Sequence, residues 1–519
     1  IPKIASFADQ ELGGALYIEY TGTNSADRYA VRVSGGVSVP KLDLYHVTDE
    51  TEKQRRAEVY IQELEEYVSL MEENHKRFHS ESGLAYDVQN CVLGASDILM
   101  DKMMLSLPAT QLLAGAGSGT TAEKAARVVT SMNGMEDMMH LFYQHKGLHV
   151  AAIDDIDRLP KSHLNIRYQR MFAGAFMYAA GNHIGIEYGS SALTGESAAT
   201  FDEEGKHISG QYFGWGIAHE IGHDINQGAY AVAEITNNYF SVLAQARDTN
   251  DSVRFKYRNV YDKVTSGTKG RASNVFTQLG MYWQLHLAYD PGYNYKTYAD
   301  YNEQLASLFF ARVDTYARTA TKAPKAASGG VDLTLSGGTD QALMRLSCAA
   351  AEKDLLEFFE RWGMTPDAET IKYASQFTKE NRAIYYACDD ARVYAKTHSG
   401  SSLSADGTTS AVSNETASSI NLSAANQVDF TLGATIPAED VLGYEITRCM
   451  ISGGKTEKQV VGFATENTFT DTIAAINNRM VWYEVSVIDK YLNRSAAKVL
   501  EPLKIQHDGS LDKTFWTVS

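Results

Sequence analysis

The sequence has few cysteines and no long apolar run, and each shortage excludes a class of protein. Its 519 residues include only four cysteines, and no two of them are spaced as C-x-x-C. A cysteine zinc knuckle and a small disulfide-stapled fold are therefore excluded. No stretch approaches the roughly 20 apolar residues that a membrane helix needs, so we expect no transmembrane segment.

Basic residues are also in short supply. The formal charge is −17, because 47 Lys and Arg stand against 64 Asp and Glu, and no basic block interrupts the sequence. Phosphate backbones would repel such a chain, so nucleic acid is not expected as a partner. Hydrophobic residues make up 44% of the chain, which is typical of a folded protein. The length predicts roughly two to four domains.

The hydrophobic pattern changes along the chain and predicts an α+β protein. Residues 1–48 form a β region, with strand-like runs at 15–20 and 29–34. Residues 49–396 are mainly helical, residues 397–426 have the Ser/Thr-rich composition of a linker, and residues 427–519 alternate as in a β-sandwich. We therefore expect a large, mainly helical domain between two β regions.

Two local patterns mark helices in the central part. Apolar residues recur at three- and four-residue steps from about Asp49 to Phe78, which predicts a long amphipathic helix. Thr120 is followed three residues later by Glu123, which is the signature of a capping box and predicts a helix start. Both signals depend only on neighbouring residues.

The segment that carries chemistry reads His-Glu-Ile-Gly-His from His219 to His223. At 100° per residue, the two histidines lie about 40° apart on one helical face, so both imidazoles can reach one ion. Glu220 lies beside them, where it can contact a water on that ion without binding the ion. This H-E-x-x-H spacing predicts a zinc-binding helix.

A third ligand is available downstream. A second helix is expected from about Ala231 to Ala246, and it carries Glu234, which would complete a site of two histidines and one glutamate. Asn238 lies four residues later on the same face and can accept the spare N–H of a ligand histidine. Zn²⁺ is the expected cofactor, and Glu220 is the expected general base for peptide-bond hydrolysis.

These segments resemble the M60-like (enhancin-related) metallopeptidases. Residues 216–223 read Gly-Ile-Ala-His-Glu-Ile-Gly-His, and residues 234–238 read Glu-Ile-Thr-Asn-Asn, as in that family's pattern. The strand-like run at 182–190 and the segment 353–363 are similar to further parts of the family. The likeness covers about residues 10–395. The terminal β region is similar to fibronectin type III modules.

The resemblance implies a gluzincin-type catalytic domain that cuts mucin-like proteins next to O-glycosylated Ser or Thr. It implies that His219, His223 and Glu234 bind zinc and that Glu220 is the catalytic acid/base. An O-glycosylated protein or mucin is then the expected partner. We also expect a secreted or surface-attached protein, with its signal peptide outside this sequence, that is a monomer within a larger multidomain chain.

Candidate substrate-binding residues come from two places. The predicted strand from His183 onward, with Ile184, Gly185 and Tyr188, is a candidate for aligning the substrate backbone by edge pairing, or it is an internal sheet strand. Trp215 is a candidate for stacking on a sugar ring, as is Trp283, although a tryptophan beside a core is commonly a packing residue.

Two alternative functions stay open at the level of sequence. The first is a zinc protease that is indifferent to glycans. The second is a catalytically silent adhesion module that binds glycans. The terminal β region is expected to be a spacer or interaction module, and deletion of the residues after about 425 is expected to leave catalysis on small substrates intact.

Overall fold

The structure is a computed structural model that describes most of the central and C-terminal chain. The described residues are 32, 38–82, 94–169, 171, 177–187, 193, 215–247, 256–295, 307–400, 403–404, 406–424, 426–473 and 479–505. The predicted N-terminal β region lies almost entirely outside them, including the expected strands at 15–20 and 29–34. Its described end contributes one short strand.

That strand belongs to a mixed sheet in the central region. The sheet contains β1 (Lys41–Asp43), β2 (Ala95–Leu99), β3 (Met103–Pro108), β4 (Leu164–Tyr168), β5 (Met177–Ala179) and β6 (His183–Ile186). The strand order is β1-β2-β3-β4-β6-β5, in which β2–β3 and β5–β6 are antiparallel and the other pairs are parallel. Ile166, Ile184 and Ile186 are buried in the main core, so one face of the sheet packs against helices.

The rest of the central region contains a two-stranded parallel sheet of β7 (Lys353–Asp354) and β8 (Thr378–Lys379). Helices make up most of the remainder. They are α1 (Glu50–Ser82), α2 (Ala109–Ala116), α3 (Thr121–His145), α4 (Trp215–Ile225), α5 (Asn238–Arg247), α6 (Tyr257–Thr265), α7 (Val275–Tyr289), α8 (Phe309–Arg318), α9 (Thr339–Ala351), α10 (Leu356–Arg361), α11 (Ala368–Ala374) and α12 (Asp389–Thr397). No helix among the described residues is both long enough and apolar enough to cross a membrane.

Both locally predicted helices are present. The apolar stripe of α1 buries Ala57, Ile61 and Leu64 against the core, as its periodicity predicts. At the start of α3, the Thr120 hydroxyl accepts the Glu123 N–H (3.3 Å) and the Glu123 carboxylate accepts the Thr120 N–H (2.8 Å). This is the predicted capping box.

The C-terminal strands form two sheets that share a second core. One sheet contains β9 (Ala417–Ile420), β10 (Gln427–Thr431) and β13 (Thr468–Thr472). The other contains β11 (Val441–Ser452), β12 (Lys455–Ala464), β14 (Arg479–Asp489), β15 (Lys498–Val499) and β16 (Leu503–Ile505). Phe430 of the first sheet contacts Tyr483 of the second, with ring centroids 4.8 Å apart. The likeness to fibronectin type III stays a prediction.

The predicted linker needs correction. Within residues 397–426, β9 pairs with β10, and Ala411 and Val412 are buried in the second core. The Ser/Thr-rich composition misled the prediction, because half of the side chains in a two-sheet module face solvent, and these strands are short and polar.

This C-terminal module also packs into the main core. Leu442, Ile488 and Leu492 are buried among the core residues of the central region. Phe463 of β12 stacks on Tyr386, with ring centroids 3.8 Å apart. The expectation of a separable spacer is therefore at odds with a shared, buried contact surface.

Candidate metal centre

The two histidines of the motif lie on one face of α4 and point to a common position. Their Nε2 atoms are 3.2 Å apart. The opposite face of the helix buries Ile217 and Ile221 in the main core, which fixes the rotation of α4 about its axis. The local sequence pattern thus leaves both imidazoles partly exposed while the opposite face anchors the helix in the core.

Glu234 completes the cluster, although it does not lie on a helix. The Glu234 carboxylate oxygens are 3.4 Å from Nε2 of His219 and 3.1 Å from Nε2 of His223. The predicted helix from Ala231 is wrong at its start: residues 226–237 form turns, and α5 begins at Asn238. Glu234 has a φ of +65°, a left-handed conformation that is uncommon for a residue with a side chain.

The spacing of these three donors suits one zinc ion. Ligand atoms bound tetrahedrally at about 2.0–2.1 Å from zinc are separated by about 3.3 Å. The two Nε2 atoms are 3.2 Å apart, and each has a different Glu234 oxygen at a similar distance, Oε2 at 3.4 Å from His219 and Oε1 at 3.1 Å from His223. Burial lowers the pKa of the His223 imidazole, which favours the neutral form that binds metals.

Asn238 joins two members of the cluster. The Nδ1–H of His219 donates to Oδ1 of Asn238 (2.6 Å), which leaves Nε2 of His219 as the ring nitrogen with a free lone pair. The amide of Asn238 also donates to the backbone carbonyl of Glu234 (2.6 Å). One side chain therefore orients a histidine and the turn that carries the glutamate.

Asn237 and Gly222 also shape the site, and our sequence reasoning missed both. Asn237 is fully buried, and its amide nitrogen lies 3.1 Å from Nε2 of His223. A Cβ on Gly222 would lie 2.3 Å from the backbone carbonyl oxygen of Asn237. The glycine inside the motif and the Asn-Asn pair were the available signals.

Glu220 lies beside the donors and faces strand β5. Ligand atoms of His219, Glu220 and His223 all lie within 4.8 Å of one another. Burial raises the pKa of the Glu220 carboxyl, while the charge of His219 and a hydrogen bond from the Ala179 N–H act in the opposite direction. Glu220 is thus positioned to contact a water at the cluster rather than to bind the ion itself.

A second carboxylate of α4 contacts the same strand region. Asp224 lies one turn after Glu220 and accepts a hydrogen bond from the backbone N–H of Gly181. Burial raises the pKa of the Asp224 carboxyl to about 6. The carboxylates of Glu220 and Asp224, one turn apart, thus hold α4 against β5 and the turn that follows β5.

The family of the central region follows from its sequence. Residues 105–363 match the family described as Peptidase M60, enhancin and enhancin-like. They form a Peptidase M60 domain. M60 peptidases are metal-dependent, so family membership implies a metallopeptidase. No curated protein matches the chain.

Solved structures share the fold of most of this chain. The M60 catalytic domain of ZmpC from Clostridium perfringens, in complex with the sialyl T antigen, is 19% identical, with a TM-score of 0.57 over 91% of this chain and 77% of that chain. The ZmpB metallopeptidase from Clostridium perfringens is 20% identical, with a TM-score of 0.57 over the same shares. A metallopeptidase in complex with the Tn antigen is 16% identical, with a TM-score of 0.55 over 90% of this chain and 78% of that chain.

The predicted edge strand of the M60 domain is not at an edge. β6, which contains His183, Ile184 and Gly185, pairs with β4 on one side and with β5 on the other. Edge pairing through β6 is therefore wrong and the alternative of an internal strand is correct, because Met177–Ala179 forms a further strand that the sequence pattern did not predict. Tyr188 lies outside the described residues.

β5 is the strand next to α4. The N–H of Ala180 donates to the carbonyl of His183 (2.9 Å), so the N–H of Ala179 points away from β6. It points toward α4, where it meets Glu220. The outward side of β5 therefore faces α4 at Glu220.

The two tryptophans differ in exposure. Trp283 is fully buried and donates its Nε1–H to Asp389 (3.2 Å), so the interpretation of Trp283 as a sugar platform is wrong. Trp215 is half-buried at the start of α4 and contacts Phe276 edge-on, with ring centroids 5.9 Å apart. Its role in substrate binding stays a prediction.

Proposed function

We propose that the protein is a zinc-dependent endopeptidase that hydrolyses peptide bonds in O-glycosylated, mucin-type proteins next to glycosylated Ser or Thr. One observation carries the proposal: the Nε2 atoms of His219 and His223 lie 3.2 Å apart, each with a Glu234 carboxylate oxygen within 3.4 Å, beside the Glu220 carboxylate. Three protein donors leave a fourth position open, which is characteristic of catalytic rather than structural zinc.

The residues of the site divide the chemistry between them. Zinc held by these donors would polarise the scissile carbonyl and lower the pKa of a water toward about 7. Glu220 would accept a proton from the attacking water and pass it to the leaving amine. Its burial keeps bulk water away from that transfer, and Asn238 keeps His219 in the tautomer that presents Nε2.

Strand β5 would align the substrate. Its outward backbone groups lie next to Glu220, so an extended peptide paired with β5 would place a peptide bond at the metal. Alternate side chains of that peptide would point to opposite faces of the sheet, and His183, Tyr188 and Trp215 remain candidates for contacting them.

The glycan part of the proposal rests on likeness. Two structures that share this fold hold the sialyl T antigen and the Tn antigen, which are O-glycans. A substrate that carries a sugar on Ser or Thr is the simplest extension to this chain. A secreted or surface-attached location, a monomeric state and a larger multidomain chain would suit such a substrate.

The domain limits are proposed on the same basis. Residues 49–396 would be the catalytic unit and residues 427–519 a fibronectin type III-like module, with the N-terminal β region packed on the catalytic unit. The contacts of the C-terminal module with the main core favour a catalytic unit that includes it.

The test uses one synthetic peptide, with and without a single GalNAc on threonine, incubated with the full chain plus or minus a chelator. We expect mass spectrometry to show chelator-sensitive cleavage of the glycopeptide alone. Cleavage of both peptides would support a protease indifferent to glycans. Retention of the glycopeptide by zinc-loaded protein without any cleavage would support an adhesion module.

A further inference from the structure

The segment that contains Glu234 is attached to the core through a buried ion pair between Asp314 and Lys146. We call residues 226–237, between α4 and α5, the ligand loop. Tyr230 in this loop is buried, and its hydroxyl donates to Oδ1 of Asp314 on α8 (2.6 Å). Oδ2 of the same carboxylate accepts Lys146 Nζ at the end of α3 (2.5 Å).

This contact is remote from solvent. The side chains of Lys146 and Asp314 are 9% and 2% exposed. An ion pair at this depth is costly to break, because either partner alone is an unpaired buried charge. The position of the Asp314 carboxylate is therefore well defined, and Tyr230 is tied to two helices at once.

The ligand loop and α8 border a small cavity. Its volume is about 20 Å³, and it is lined by Asn226, Tyr230 and Thr236 of the loop and by Phe310 and Asp314 of α8. Where a cavity interrupts van der Waals contact, side chains lose part of the attraction that would fix them. The hydrogen bond from Tyr230 therefore contributes to holding the loop beside this cavity.

Short turns connect Tyr230 to Glu234. We call the contact of Tyr230 with Asp314 and Lys146 the anchor. The N–H of Ala231 donates to the carbonyl of Gln227 (2.9 Å), and the N–H of Thr236 donates to the carbonyl of Val232 (3.0 Å). The Thr236 hydroxyl also accepts the N–H of Val232 (3.0 Å). These bonds make the segment around Glu234 a stiff unit, which includes its left-handed backbone conformation.

We propose that Asp314, Lys146 and Tyr230 are positioning residues that set the depth at which Glu234 meets the two histidines. The inference rests on the proposed function, in which Glu234 is a metal ligand. Metal–ligand distances tolerate deviations of only about 0.2 Å, so a small displacement of the ligand loop weakens binding. None of the three residues contacts the metal position itself.

The C-terminal module contains a matched control. Asp471 accepts the hydroxyl of Tyr483 (2.8 Å) and the guanidinium of Arg448 (2.8 Å), and both Asp471 and Tyr483 are buried. Tyr230→Phe and Tyr483→Phe therefore remove the same kind of hydrogen bond from the same kind of ion pair. Only the first lies under the ligand loop.

The experiment measures the dissociation constant of Zn²⁺ for metal-stripped full chain, by competition with a chromophoric chelator. Circular dichroism checks that each variant is folded. We expect Tyr230→Phe to raise the dissociation constant about 10-fold and Tyr483→Phe to leave it unchanged. In a Glu234→Ala background, Tyr230→Phe should have no further effect, because the anchor acts through Glu234.

Each contrary result has its own meaning. Equal dissociation constants for Tyr230→Phe and Tyr483→Phe would overturn the positioning role and leave the proposed function intact. An undiminished effect of Tyr230→Phe in the Glu234→Ala background would show that the anchor does not act through Glu234. Wild-type affinity in Glu234→Ala alone would overturn the ligand set, and the inference with it.

Discussion

The backbone of Asn237 lies against Gly222 so closely that a Cβ on the glycine would be 2.3 Å from the Asn237 carbonyl oxygen. The approach brings the ligand loop onto α4 within the motif itself, one residue before His223. Backbone atoms cannot move aside as a flexible side chain does. Glu234 therefore reaches His219 and His223 because the residue of α4 against which the ligand loop packs, Gly222, has no side chain.

We predict that Gly222→Ala separates the ligand loop from α4. Overpacking of this kind costs about 1–3 kcal/mol of unfolding free energy, and we expect zinc affinity to fall at least about 10-fold. Chelator competition measures the affinity. Gly216→Ala is the control on the same helix, because its Cβ would meet only Met177 Sδ, at 3.0 Å, on a flexible side chain. Equal losses in both variants would contradict the prediction.

We predict that Glu220→Gln binds zinc normally but loses turnover. The amide keeps the shape of the carboxylate but cannot accept a proton from water near neutral pH. The loss should be about 10²–10⁴-fold in kcat, at a metal content equal to that of the wild type. Glu66→Gln, on the exposed face of α1, should match the wild type in both measurements. Full activity of Glu220→Gln would exclude the mechanism.

We predict that the C-terminal module is energetically part of the catalytic unit. Glu445 of β11 is buried, accepts the Tyr386 hydroxyl (2.7 Å) and pairs with Arg361 (3.1 Å). Glu445→Ala removes the nearer carboxylate partner of Arg361 and leaves only Glu357, at 3.9 Å, so it should cost up to about 3–5 kcal/mol in urea unfolding. Glu484→Ala removes only a pair with the exposed Lys458 and should cost less than about 1 kcal/mol.

Two results would contradict the prediction for the C-terminal module. A chain truncated after residue 426 that unfolds cooperatively at wild-type stability would show that the module is separable. Equal costs of the two substitutions would indicate that the Glu445 contact contributes no more than a surface pair.

We predict a stability change with pH that depends on Glu136 of α3. Burial, together with the charge of Asp101, raises the pKa of this carboxyl from 4.5 to about 7, against a hydrogen bond from the Lys102 N–H. The folded state then binds more protons than the unfolded state between about pH 4.5 and 7, so stability falls as pH rises through that window. The contribution is at most about 3 kcal/mol.

Glu136→Gln isolates this contribution. The difference in unfolding free energy between wild type and variant should decline between about pH 4.5 and 7 and be constant outside that window. Asp290, whose pKa burial also raises to about 7, is common to both proteins, so its effect cancels. A difference that is independent of pH would show that Glu136 stays ionised in the fold.

The sequence by itself determined the features that depend on neighbouring residues. His219 and His223 share a face because a helix repeats every 3.6 residues, and Thr120 caps α3 through a residue three positions away. The period of the apolar residues in α1 determined its buried face in the same way. Such interactions are encoded within one or two turns of chain, so a pattern is enough to predict them.

The tertiary structure alone decided the rest. Glu234 reaches the histidines through turns rather than a helix, because Gly222 admits the loop and distant Asp314 holds Tyr230. β6 is internal because β4 and β5 arrive on both of its sides. These outcomes depend on packing and hydrogen bonds between segments far apart in the chain, which leave no periodic trace in the sequence.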